Sequence, residues 1–121
     1  MELRRALAHE VAQAFELQIL APVIAYIAEE DDEIIGAGGL AFFDGPRCWV
    51  FFMANDKASK HPFTVVRMGR ELKKTARAMG FTEAYVTCDV NYETAPRLVS
   101  LLGFKKTDEI HQGLEVFKCQ L

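Results

Sequence analysis

The sequence predicts a mixed α/β (α+β) fold: a mostly antiparallel sheet flanked by helices, in the order helix, three strands, helix, strand, helix, two strands. Three observations carry this. Apolar, β-branched runs between Val23 and Ala54 are separated by the turn signals Asp31-Asp32-Glu33 and Asp44-Gly45-Pro46-Arg47. A long amphipathic pattern after Pro62 stands between two strand patterns, which predicts a parallel crossover. The pairs Phe42-Phe43 and Phe51-Phe52 put aromatics on both faces of one hairpin, so helices or a partner must cover both.

In order along the chain, Leu3, Leu7, Val11, Ala14 and Phe15 recur at helical spacing, which predicts a first helix over 2–15. Val23 to Glu30 and Ile34 to Phe43 read as a strand hairpin, and Gly36, Gly38 and Gly39 inside it mark a bulge or a close backbone approach. Cys48 to Ala54 is the third strand. The helix after Pro62 carries a stripe of Val65, Gly69, Leu72, Ala76 and Met79 and is capped at Gly80. Glu83 to Val90 is a fourth strand. Asn91 to Leu102 is a short helix, with Ala95, Leu98, Leu101 and Leu102 inward and a stop at Gly103. Phe104 to Ile110 and Leu114 to Leu121 close the chain as a hairpin turning at His111-Gln112-Gly113.

Bulk properties bound the function. The 121 residues suit one domain; half are hydrophobic and 26% charged, which excludes a disordered chain. A net charge of −3 gives no electrostatic reason to expect nucleic acid or an anionic membrane as partner. The N-terminal Met1-Glu2-Leu3-Arg4-Arg5 has no secretory apolar run, so a cytoplasmic location is expected. Cys48, Cys88 and Cys119 are widely spaced in apolar contexts, the pattern of buried reduced thiols rather than of a metal site.

The stretch Trp49 to Gly80 is the natural ligand site: an apolar strand, a polar turn over 55–60, and a helix start whose free N–H groups and macrodipole suit a phosphate. Together with the element order and the run Asp89-Val90-Asn91-Tyr92-Glu93-Thr94-Ala95, then Leu98 and Leu102-Gly103-Phe104, this stretch resembles the GNAT superfamily of acetyl-CoA-dependent N-acetyltransferases. The resemblance covers most of the chain. It implies a cofactor, acetyl-CoA, whose pantetheine arm lies between two splayed strands and whose pyrophosphate meets the helix start. The residues so implied are Phe52, Met53, Ala54, Asn55, Lys60, His61, Phe63, Thr64, Val65, Arg67 and Asn91.

This sequence departs from the family in three places. The family's loop motif, a Gln or Arg followed by two small residues, falls on Lys60, Phe63 and Val65, so only the basic residue survives. The tyrosine with which the family protonates the departing thiolate falls on Val99, leaving Tyr92 as a substitute. For the base, Asp56, Asp89 and His61 are candidates by location, with Asp89 equally suited to cap a helix. The family's opening strand and first helix are expected to be missing, an N-terminal shortening.

Two functions follow as expectations. One is transfer of acetyl to an amine, on a small molecule or a protein. The other is a catalytically inactive protein of the same fold acting through protein–protein contact, as in small phage-encoded relatives that enter the virion. An unrelated α+β dimerisation module would leave the ordered match unexplained. The aromatic hairpin is the expected homodimer surface.

Overall fold

This computed structural model describes residues 2–16, 18–19, 21–54, 61–88 and 94–121. The elements are β1 (Glu2–Ala6), α1 (Ala8–Ala14), β2 (Val23–Glu30), β3 (Glu33–Asp44), β4 (Arg47–Ala54), α2 (Pro62–Ala78), β5 (Glu83–Cys88), α3 (Thr94–Leu101), β6 (Lys105–His111) and β7 (Leu114–Gln120). The strands form one seven-stranded sheet in the order β1-β2-β3-β4-β5-β7-β6. The pair β4–β5 is parallel and the others antiparallel, as the α2 crossover requires. The predicted mixed, mostly antiparallel sheet with flanking helices is what the chain forms.

The opening of the chain differs from the expectation. Residues 2–6 are an edge strand, registered Glu2↔Glu29 through Ala6↔Ala25, and the helix begins only at Ala8. One helix would have put Leu3, Leu7 and Val11 on a single face. Instead Leu3 packs on the α2 side of the sheet, Leu7 is 64% exposed, and Val11 is buried on the opposite side. The break has a local cause. The Glu10 carboxylate accepts the Leu7 N–H at 3.1 Å and an Arg4 N–H at 3.0 Å, capping a helix at that point. Those two bonds, the Leu7 amide foremost, hold the Glu10 carboxyl below its ordinary pKa. Pairing also satisfies the free edge of β2, which a solvated helix would leave open. An opening strand is therefore present, and the expected shortening does not remove it.

Both faces of the sheet are covered, but unequally. On one side Met68, Leu72 and Ala76 of α2 and Val99 of α3 pack on Leu40, Val50, Val86, Phe117 and Cys119. On the other, the short α1 covers Ala25, Ile27 and Ala37 with Val11, and among the described residues no helix covers the β4–β7 half of that face. The stripe of α2 runs through Thr64, Met68, Leu72 and Ala76; Val65 is only half-buried and Met79 is 48% exposed, a rotation from the predicted face. Leu101 of α3 likewise points outward, and Val99 takes the inward place.

The helix ends follow the predicted glycines. Gly80 (φ +93°) donates to Arg77 O and Phe81 to Ala76 O; Gly103 (φ +91°) donates to Ser100 O and Phe104 to Val99 O. Each is a Schellman closure with a phenylalanine folded back behind it.

The strand glycines answer to close approach. A Cβ on Gly38 would lie 2.5 Å from Met68 Sδ, and one on Gly39 would lie 2.5 Å from both the Ile24 carbonyl and the Phe51 ring. A bulge sits at Ile35, where β2 advances one residue and β3 two. Gly69 serves helix packing: its missing Cβ leaves room for Leu102, the residue just after α3, rather than for the sheet.

All three thiols are buried, and none forms a disulfide. Burial pushes Cys48 up to about 11, so its thiol stays protonated at neutral pH. Its contribution to stability is complete below pH 9 and is lost as pH rises through about 11. A thiol-reactive dye at pH 8 is expected to label none of the three cysteines in the folded protein and all three in guanidinium. Rapid native labelling of Cys48 would contradict this packing.

Candidate functional site

The parallel strands β4 and β5 meet at one register pair, Trp49↔Tyr85. Past it β4 stays paired with β3 up to Ala54↔Gly36, and β5 stays paired with β7 up to Cys88↔Glu115. The two strands therefore part from each other while each keeps its outer partner. The result is a wedge that opens toward the start of α2, at the point where strand connections reverse direction. Where two parallel neighbours part, their facing backbone groups no longer bond each other and can bond an extended ligand.

The predicted cofactor residues distribute around this wedge. Phe52 faces the α2-side core and Met53 the α1-side cluster, as alternation along β4 dictates. Ala54 ends the strand. His61 is the N-cap residue of α2, but its imidazole bonds no helix amide; its Nε2 pairs with the Glu30 carboxylate at the end of β2. Thr64 is buried and donates its N–H to His61 O at 3.1 Å. Phe63 is 82% exposed, so its ring stands out into solvent rather than in the seam between α2 and the sheet. The first turn of α2 holds no acidic residue, and Arg67 and Arg70 are exposed without an ion-pair partner among the described residues. Asn55, Asp56, Lys60, Asp89, Asn91 and Tyr92 lie outside the described residues.

The family's acid position behaves as its side chain dictates: Val99 is buried in the α2-side core and offers no proton. Of the described tyrosines, Tyr26 bonds Thr75 Oγ1 at 3.1 Å and Tyr85 lies beneath Arg47.

A second feature joins Trp49 and a hairpin phenylalanine to residues that the sequence did not connect with them. On the open half of the α1 face, Phe43, Trp49 and His111 pack ring against ring, with centroids 5.7 Å (Phe43–Trp49), 5.1 Å (Trp49–His111) and 5.8 Å (Phe43–His111) apart. Tyr85 joins Trp49 from β5 at 5.5 Å. The Arg47 guanidinium lies 4.6 Å over the Tyr85 ring and grips Glu109 of β6 at 2.6 and 2.9 Å. Those bonds to Glu109 raise the Arg47 pKa further, so the cation is permanent. Beside this cluster is a concavity of about 380 Å³, lined by Phe43, Trp49, Phe51, Thr87, His111 and Gln112 among others. It begins at the strand pair where the wedge begins.

The hairpin phenylalanines are used within the chain. Phe42 stacks on Phe81 at 5.8 Å, Phe51 joins the α1-side cluster, and Phe52 the α2-side core. Phe43 alone of the four remains 51% exposed. Among the described residues, no helix is long and apolar enough to cross a membrane, and no group of His, Cys, Asp and Glu is placed to hold a metal ion.

No protein-family model matches the sequence, and no curated protein matches it. Solved structures do match. The chain is similar to a GNAT-family acetyltransferase from Staphylococcus aureus Mu50 at 9% identity and TM-score 0.79, over 99% of this chain and 98% of that one. It is similar to a GNAT-family acetyltransferase from Elizabethkingia anophelis with acetyl-CoA bound, at 12% identity and TM-score 0.73, over 99% and 97%. A spermidine N-acetyltransferase variant from Vibrio cholerae aligns at 10% identity and TM-score 0.71, over 99% and 95%. At such identities the likeness is one of fold. With its split parallel pair and α2 crossover, this chain has the GNAT fold.

Proposed function

We propose that the protein is an acyl-CoA-dependent N-acyltransferase that moves an acetyl group to an amine. One observation supports this above the others: β4 and β5 are parallel neighbours that meet at Trp49↔Tyr85 and separate toward the start of α2. A sheet gains nothing in stability by opening there, since backbone N–H and C=O groups are left to find other partners. A pantetheine arm, with its own amides, is such a partner. Acetyl-CoA, when bound, supplies the activated acyl group as a thioester. The chain would hold the arm along the inner edges of β4 and β5 and the phosphates at the open, acid-free start of α2, with Arg67 and Arg70 nearby in sequence. His111 lines the concavity and packs 5.1 Å from Trp49, and on this reading its imidazole takes the ammonium proton. Positioning two reactants supplies much of the rate in such a transfer, so the absence of a proton donor at Val99 lowers the rate without abolishing it.

The second reading, an inactive protein of this fold acting through protein contacts, in the cytoplasm or in a phage particle, draws on Phe63. A bulky ring stands where close backbone–phosphate contact calls for a small residue. Self-association would then rest on the exposed Phe43.

Calorimetric titration with acetyl-CoA separates the two. The transferase reading expects a dissociation constant below about 100 μM and, at a hundredfold excess over it, about 2.7 kcal/mol of stabilisation. Phe63→Gly is expected to tighten binding several-fold. Absence of binding at millimolar cofactor would sink the transferase reading in favour of the second.

A further inference from the structure

We infer that the concavity on the α1 face binds an amine that carries a flat aromatic ring, and that such amines are the acceptor class; as an acceptor site it rests on the transferase reading, as a binding site it does not. Its volume of about 380 Å³ is that of a small-molecule site. The wall is aromatic: Phe43 is half-exposed and stacks on Trp49, which is itself 4% exposed and forms the floor, with His111 tilted against both. An incoming ring meets the free surface of Phe43 and the imidazole, in the offset or edge-on geometry such pairs prefer.

Charge decides against the alternative, a polyamine. A multiply charged aliphatic cation needs free carboxylates, and none of the described residues that line the concavity carries one. The two described carboxylates of the neighbouring cluster are occupied. Glu109 is gripped by Arg47 at 2.6 and 2.9 Å; Asp44 accepts the Trp49 indole N–H at 3.3 Å and lies 3.8 Å from Arg47 Nε. Arg47 also fills the cation position over the rings, 4.6 Å from Tyr85 and 5.9 Å from Trp49, and repels a second cation there. Among the described lining residues the polar side-chain groups are the Thr87 hydroxyl, the Gln112 amide and the His111 imidazole. Together they suit one amine on an apolar body.

The single tryptophan makes the test direct, since Trp49 fluorescence reports on this pocket alone. Titrating the full chain with 2-phenylethylamine, without cofactor, is expected to give a saturable change in Trp49 emission. Spermidine at equal concentration is expected to give none. Phe43→Ala, at a half-exposed position where the fold survives, is expected to weaken phenylethylamine binding about tenfold. A Phe43→Leu variant, which keeps apolar bulk without the ring, is expected to weaken it nearly as much. No saturable change with phenylethylamine, or an equal response to spermidine, overturns the inference. Acetylation assays on both amines then part the two claims. Binding of phenylethylamine without acetyl transfer upholds the pocket while removing the transferase reading. Transfer to spermidine but not to phenylethylamine upholds the transferase and removes the pocket's assignment.

Discussion

Replacing Gly39 by alanine is expected to lower the unfolding free energy by about 3 kcal/mol. In an ordinary strand the same change is neutral or stabilising, because glycine gives up more backbone freedom on folding than alanine does. Here the new methyl would lie 2.5 Å from the Ile24 carbonyl of β2 and 2.5 to 2.6 Å from ring atoms of Phe51 on β4. A carbonyl in a paired strand cannot turn aside, so the sheet itself must shift. Gly38→Ala is the matched control. Its methyl meets the flexible end of Met68, at Sδ 2.5 Å, and the expected cost is about 1 kcal/mol. Urea unfolding of both variants measures the difference. A Gly39→Ala protein as stable as the parent would mean that β2 and β4 do not close on β3 as described. The effect also reaches function, since Phe51 lines the concavity and its displacement should weaken amine binding along with stability.

Leu72→Ala is expected to cost about 3–4 kcal/mol, lowering the melting temperature by roughly 10–15 °C. Leu72 is fully buried in the middle of α2, between Met68 and Ala76, where truncation leaves a cavity that the flanking helix and sheet cannot fill. Met79→Ala, on the stripe that periodicity alone assigns to Leu72, is expected to change stability by no more than about 0.5 kcal/mol, because that side chain is half-exposed. Thermal melts of the pair decide between the two helix faces. Equal losses would restore the predicted stripe and contradict the packing through Met68.

From Val23 onward the elements were legible because each carries its own local instruction. Turn residues separate β2, β3 and β4; Pro62 starts α2; Gly80 and Gly103 end helices by closures that need a residue at positive φ. The burial of Cys48, Cys88 and Cys119 followed from their apolar settings in the same way. The strand–turn–helix as the place to look for a ligand was legible too, although six of the residues nominated there or beyond β5 lie outside the described residues.

Tertiary structure decided the rest, where long-range pairing outweighs local preference. Residues 2–6 have helical spacing but gain more by satisfying the edge of β2, so the predicted helix became β1 and a one-sided α1. Periodicity placed Val65 and Met79 inward; contact with the sheet and with Leu102 turned α2 to bury Met68 instead. The aromatic cluster was the least visible feature. Arg47 and Glu109 stand 62 residues apart, and His111 read as no more than a hairpin turn. No spacing rule joins them to Trp49, because only the folding of β6 back along β7 brings that turn beside the hairpin of β3 and β4. The sequence by itself determined the order of elements and where the helices stop, since those depend on local backbone chemistry. Which face lies open, and what rings line it, depended on packing between distant segments.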